Sequence, residues 1–193
     1  MTAQTQARAQ IRLPAEVGVW MFVLGDLLVF ALFFATFLAY RAESVTQYAG
    51  AQASLNLALG TANTLCLLTS SWLMARAVKT ARERSALQAK PAIVTAIGFG
   101  VLFLVGKITE YVQKGRNGIG ADETEFFMFY FVFTGIHFVH VLIGIILLAV
   151  LAYSLRTPQL SKRHLGLLEG GGVYWHMVDL LWIMLFTLFY LIH

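Results

Sequence analysis

The stretch Val17–Tyr40 reads VGVWMFVLGDLLVFALFFATFLAY, and Asp26 is its one ionisable side chain. Roughly 18 or more consecutive apolar residues read as a membrane-crossing helix. The run follows a polar segment, residues 1–15, with no small-residue cleavage site, so it reads as a retained helix and not a signal peptide. Four more apolar runs follow, which places spans at about 17–40, 55–75, 91–112, 125–155 and 170–193. Pro91 is expected to open the third, because proline is tolerated in a first helical turn. Gly170, Gly171 and Gly172 are expected to precede the fifth. The fourth is long enough to tilt or to extend beyond the bilayer. The expected fold is an all-α integral membrane protein: a five-transmembrane-helix bundle forming one domain, 16–193, without internal repeat.

Composition supports this class. Of 193 residues, 59% are hydrophobic and only 12% charged, against about 25% charged in a soluble domain. The single cysteine, Cys66, excludes an internal disulfide and a metal–thiolate pair. The net charge of +4 does not call for nucleic acid, because the cations flank apolar helices. Arg8, Arg12, Arg76, Lys79, Arg82, Arg84, Lys90, Arg156, Lys162 and Arg163 fall on one side; Arg41, Lys114 and Arg116 fall on the other, diluted by Glu43, Asp122, Glu123 and Glu125. Ten against three puts the N-terminus inside and the C-terminus outside. In a bacterium the expected location is the inner, cytoplasmic membrane, crossed several times. Trp20, Tyr40, Trp72, Tyr111 and Tyr153, near span ends, are expected to be interface anchors.

Ionisable groups in hydrocarbon are costly, so they face a bundle interior and often carry function. Asp26 lies near the midplane; with no water or cation beside it, it is expected to be protonated at neutral pH. It reads either as a proton-exchanging acid or as a neutral acid hydrogen-bonded to a neighbouring helix. His137 and His140, three apart, share a helix face. As metal or haem ligands they lack companions, since a metal needs three or four donors, so interhelical hydrogen bonds are the simpler reading. His176 and Asp179 share a face in the same way and form either a proton-exchanging couple or a static pair joining helices. Lys107 and Glu110 are expected to form a salt bridge, with the lysine snorkelling outward. Glu16 and Glu169 are expected at helix N-termini, where a carboxylate complements the macrodipole. Gly135, Gly144, Gly98 and Gly100 would permit close helix approach.

The stretch from Phe133 to Gly144, FTGIHFVHVLIG, resembles the Gly-Phe-His-Gly-Leu-His-Val-Ile-Ile-Gly signature of haem-copper oxidase subunit III. Tyr174 to Trp182, YWHMVDLLW, resembles that family's Tyr-Trp-His-Phe-Val-Asp-Val-Val-Trp. Asn63-Thr64-Leu65 with Ser70-Ser71, and Phe103 through Glu110-Tyr111, are similar to two further family helices, although Lys107 stands where glutamine is common. The resemblance runs from Ala15 onward. It implies the five-helix form of the family, found in quinol oxidases and beside nitric oxide reductases; Pro14 to Trp20 and Gly25 to Phe30 look most like the reductase-associated members. It implies that Asp26 occupies the carbodiimide-reactive carboxylate position, with Asp in place of Glu. It further implies that the chain binds no haem or copper, which belong to the partner catalytic subunit, and that the histidine motifs are structural polar contacts.

The expected function is therefore a non-catalytic accessory subunit of a haem-copper respiratory complex. It would hold phospholipids in a V-shaped cleft, with Arg76, Arg82 and Lys162 meeting the head groups, and would support proton uptake. Two rivals remain at this stage: a membrane scaffold for another metalloenzyme, or a small proton or solute transporter built on Asp26, His140 and Asp179.

Overall fold

The computed structural model describes residues 17–155 and 161–192. Six α-helices follow one another: α1 (Val17–Glu43), α2 (Val45–Gln52), α3 (Leu57–Glu83), α4 (Ala86–Arg116), α5 (Glu125–Ser154) and α6 (Lys162–Phe186). A single π turn, Thr187–Leu191, continues α6. No strand occurs among the described residues. Every helix except α2 is long and apolar enough to cross a membrane, so five spans are present, as expected. The all-α form follows from the solvent: hydrocarbon offers no hydrogen bonds, so a spanning backbone must satisfy its own amides.

The helices outrun the expected boundaries. α3 continues through Arg76 and Arg82 to Glu83, and α4 begins at Ala86, so the expected basic loop is mostly helix. Pro91 does not open α4 but sits inside it; Ser85 is the cap, its side chain accepting from the Leu87 amide at 3.3 Å. α6 starts at Lys162, and Gly170, Gly171 and Gly172 lie buried within it. These glycines are there for proximity, not for a turn: a Cβ on Gly172 would lie 3.3 Å from Val78 of α3, and one on Gly171 would run into Leu151 of α5. Asn56, Thr124 and Ser161 cap α3, α5 and α6 in the same manner as Ser85, each satisfying an amide that the helix leaves unpaired. The expected Glu16 N-terminal charge lies outside the described residues, as do Arg8, Arg12 and Arg156.

α6 is the centre of the bundle. It packs on α3, α5 and α1, while α4 is held between α3 and α5. Its tryptophans reach across the bundle: Trp175 Nε1 donates to Ser70 Oγ at 3.1 Å, and Ser70 passes the contact to the Ala96 carbonyl at 2.7 Å. Trp182 Nε1 donates to Thr64 Oγ1 at 2.9 Å. Hydrogen bonds of this kind hold helices together where apolar burial against lipid drives little association. α1 leans on α5 through Phe33, stacked on Phe133 at 5.0 Å, and its C-terminal half joins a cluster of Phe37, Tyr48, Phe126 and Phe189. Tyr48 belongs to α2, outside the spans; burial, with the charge of Glu125 adding to it, pushes its phenol up to about 12.

The expected small-residue contacts divide. Gly100 and Gly144 both face the Trp175 indole, at 3.0 and 2.6 Å from a hypothetical Cβ, whereas Gly98 and Gly135 have nothing within 4 Å. Gly144→Ala should therefore force Trp175 to move and destabilise the bundle by about 1–3 kcal/mol, the usual range for overpacking. Gly135→Ala should be neutral or stabilise by up to about 1 kcal/mol, through helix propensity alone. Thermal unfolding of both variants in detergent measures the contrast.

Candidate functional site: polar clusters in an apolar bundle

The most buried charges are those of Lys107 and Glu110 on α4, each 1% exposed. Lys107 Nζ donates to Glu110 Oε2 at 2.8 Å and to Tyr130 Oη at 2.8 Å, with Tyr190 Oη at 3.5 Å. Tyr190 in turn donates to Glu110 Oε1 at 2.6 Å. The ammonium also lies over the rings of Tyr130 at 4.8 Å, Tyr111 at 5.2 Å and Trp182 at 5.2 Å. The salt bridge is the expected one, but the lysine does not snorkel outward. It points inward because carboxylate, phenols and aromatic faces together replace its hydration, a combination the interface cannot match. Tyr111, expected to be an interface anchor, is part of this wall. Its hydroxyl donates to Thr134 Oγ1 at 2.7 Å, because the Thr134 hydrogen goes to the Tyr130 carbonyl.

Asp26 and His140 join α1 to α5. Asp26 Oδ1 lies 3.3 Å from His140 Nε2, and both side chains are largely buried. His140 Nδ1 is 2.8 Å from the Ile136 carbonyl, which can only accept, so Nδ1 carries hydrogen. Asp26, expected to stand with no cation beside it, thus meets a titratable ring, that of the second histidine of the motif on α5.

His176 and Asp179 do not pair directly through their shared face. His176 meets Ser71 of α3 instead, with Ser71 Oγ 2.6 Å from its Nδ1, while Asp179 is buried and its Oδ1 has no hydrogen-bond partner among the described residues. His137 departs furthest from expectation. It is fully buried, but neither ring nitrogen has a hydrogen-bond partner among the described residues. Its ring instead packs 5.7 Å from Phe103 and 5.4 Å from Trp182. The expected interhelical hydrogen bonds thus belong to His140 and His176, not to His137. Asp26, Asp179 and His140 do not form the single cluster a transporter reading needs: Asp26 meets His140, and Asp179 has no hydrogen bond or ion pair to either among the described residues. Among the described residues no three of His, Cys, Asp and Glu converge as metal ligands would.

Glu169 is not an N-terminal charge but lies inside α6, where Arg82 Nε holds its Oε1 at 2.7 Å. Arg82 remains 48% exposed. Arg76 stacks its guanidinium on Trp72 at 4.8 Å, and Lys162 is exposed in the first turn of α6. Ser71, Tyr130 and Tyr190 are the site residues that sequence reasoning did not single out as polar partners. No spacing links them to Lys107 or His176, and tyrosine in an apolar run reads as packing.

Removing one member of the buried ion pair should cost about 3–5 kcal/mol, because the other charge is left alone. Lys107→Met and Glu110→Gln should each lower thermal stability in detergent by that order. The double variant should cost less than the sum of the two. A double-mutant cycle on unfolding temperatures tests this, and simple additivity would show that the two charges do not depend on each other.

Comparison with known proteins fits this arrangement. A profile of the family described as "Cytochrome c oxidase subunit III" matches residues 2–193. Cytochrome c oxidase subunit 3 of Synechocystis sp. is 31% identical over 179 residues, covering 91% of this chain and 74% of that protein. The protein of the same name from Thermostichus vulcanus is 29% identical, covering 91% of this chain and 86% of its own length. Cytochrome bo(3) ubiquinol oxidase subunit 3 of Buchnera aphidicola is 25% identical, covering 90% and 84%. With its whole described length inside that match and its five spans in place, the chain belongs to the cytochrome c oxidase subunit III family.

Proposed function

We infer that this protein is a non-catalytic accessory subunit of a haem-copper respiratory complex, a terminal oxidase or a nitric oxide reductase. The observation that carries the reading is that its best-formed buried polar contacts join its own helices to one another. Lys107, Glu110, Tyr130 and Tyr190 satisfy one another, Asp26 meets His140, and His176 meets Ser71. Groups so engaged brace a bundle; they do not present an open coordination position or an electron path. In this reading the chain binds no cofactor, and haem and copper belong to the catalytic subunit. The five-helix architecture suits the short form of the family. The sequence at Pro14 to Trp20 and Gly25 to Phe30 favours the reductase-associated members, while the relatives compared above are named as subunits of oxidases.

The single domain 16–193 sits in the bacterial cytoplasmic membrane with its N-terminus inside, supported by the ten-to-three distribution of cations. Arg76, Arg82 and Lys162 meet anionic head groups there, at about 1 kcal/mol per charge. An apolar groove of about 320 Å³ between α1, α5 and α6, lined by Phe22, Leu147, Leu167 and Tyr174, takes acyl chains. The subunit buttresses the catalytic subunit and supports proton uptake, with Asp26, which meets His140, as its proton-exchanging acid.

Deleting the chain should leave initial turnover of the assembled partner enzyme largely intact and shorten its working life over many cycles in native lipid. Complete loss of initial activity, with the partner assembled and its cofactors loaded, would show that the chain takes part in the chemistry.

A further inference from the structure

Although α6 is the most enclosed helix, one strip of it stays open between α1 and α3. Val173, His176, Leu180 and Met184 follow one another down this strip at helical spacing. Two shallow cavities share it. One, of about 310 Å³, is walled by Trp20, Val23 and Leu27 of α1 and floored by Val173, His176, Met177 and Leu180. The other, of about 220 Å³, lies against Ala75, Val78 and Arg82 of α3 and again includes Val173 and His176. α1 packs on α6 and α2 and leans on α5, so it does not close over α3 and the channel between them remains open.

His176 makes this channel more than a lipid furrow. It is exposed, and it stands seven residues beyond Glu169, whose ion pair with Arg82 marks one membrane surface. That is about 10 Å along the helix, well inside the hydrocarbon layer and out of reach of a head group. Its Nδ1 is engaged by the Ser71 hydroxyl at 2.6 Å. This contact has two orientations. With Nδ1–H donating to Ser71 Oγ, Nε2 is left as an acceptor. With the Ser71 hydroxyl donating to Nδ1, Nε2 carries the hydrogen. In both, Nε2 is the free end, without a partner among the described residues. A polar ring open to acyl chains is costly, and an acyl chain cannot satisfy it.

The geometry points to this channel as the seat of a transmembrane helix of the partner subunit, held at mid-depth by a hydrogen bond between one of its polar side chains and His176 Nε2. The inference deepens the accessory-subunit reading and rests on it. Beyond the Arg82–Glu169 pair at one end, the channel is lined by apolar side chains apart from His176, which suits a helix that is itself apolar at that depth apart from one side chain. The ring's ability to donate or accept lets that side chain be a hydroxyl, an amide or an acid.

The test uses the complex purified with its catalytic subunit in mild detergent. A benzophenone amino acid is placed at Leu180, in the channel, or at Ile146, on the open face of α5, and irradiated in native membranes. The expected result is a covalent adduct with a membrane-spanning peptide of the partner from position 180 and only lipid adducts from position 146. His176→Leu should lower retention of the partner about tenfold, equivalent to about 1.4 kcal/mol, and His176→Gln should restore most of it. Protein adducts from 146 alone, or lipid adducts from both positions with the partner still co-purifying, would overturn the channel assignment and leave the accessory-subunit reading standing. Lipid adducts from both positions with no partner recovered would overturn both.

Discussion

An ammonium group buried among aromatic rings constrains this bundle more than any other feature. Lys107 is 1% exposed, and hydrocarbon cannot solvate it, so α4, α5 and the end of α6 must converge to do so. Glu110 supplies the countercharge, Tyr130 and Tyr190 supply oxygens, and Tyr111 and Trp182 supply ring faces. Each donor comes from a different turn or helix, so the register of three helices is fixed together. A pair of this kind adds little net stability over an apolar substitute, but a misregistered bundle would leave a bare charge. The penalty for the wrong fold is what makes it specifying.

The same reasoning organises the rest. Trp175 can sit at the centre because Gly100 and Gly144 leave it room and Ser70 accepts its N–H. Gly171 and Gly172 let α6 approach α5 and α3. α1 is different: it is the most peripheral span, fastened at mid-depth by Asp26 and His140, and this leaves a channel along α6. Rigid contacts thus lie on the side of α4 and α5, and open surface lies beside α1.

Much of this was legible in the sequence because bilayer thickness dictates the length of apolar runs. The five spans follow from it, and the three-residue spacings correctly placed Lys107 beside Glu110. What spacing cannot show is which neighbour a side chain meets. His140 finds Asp26 across 114 residues and His176 finds Ser71 across 105, and no local pattern encodes either. The inward turn of Lys107 was missed because its aromatic cage is drawn from α4, α5 and the end of α6. The start of α6 was placed late because three successive glycines read as a breaker in water, whereas in a membrane bundle they read as a packing face. α2 was missed because eight residues of moderate polarity, Val45–Gln52, carry no strong period. His137 follows its motif into the core yet finds no polar partner among the described residues, although its spacing pointed to an interhelical hydrogen bond.

The central claim is that this subunit III family member works by association and not by chemistry of its own. The most direct measurement is to isolate the native chain from its membrane in mild detergent and identify what comes with it by mass spectrometry and absorption spectroscopy. The account predicts a stoichiometric haem-copper catalytic subunit, with all haem and copper assigned to that subunit once the two are separated. A chain that purifies without such a partner, or that keeps a stoichiometric haem or metal after separation, would contradict it.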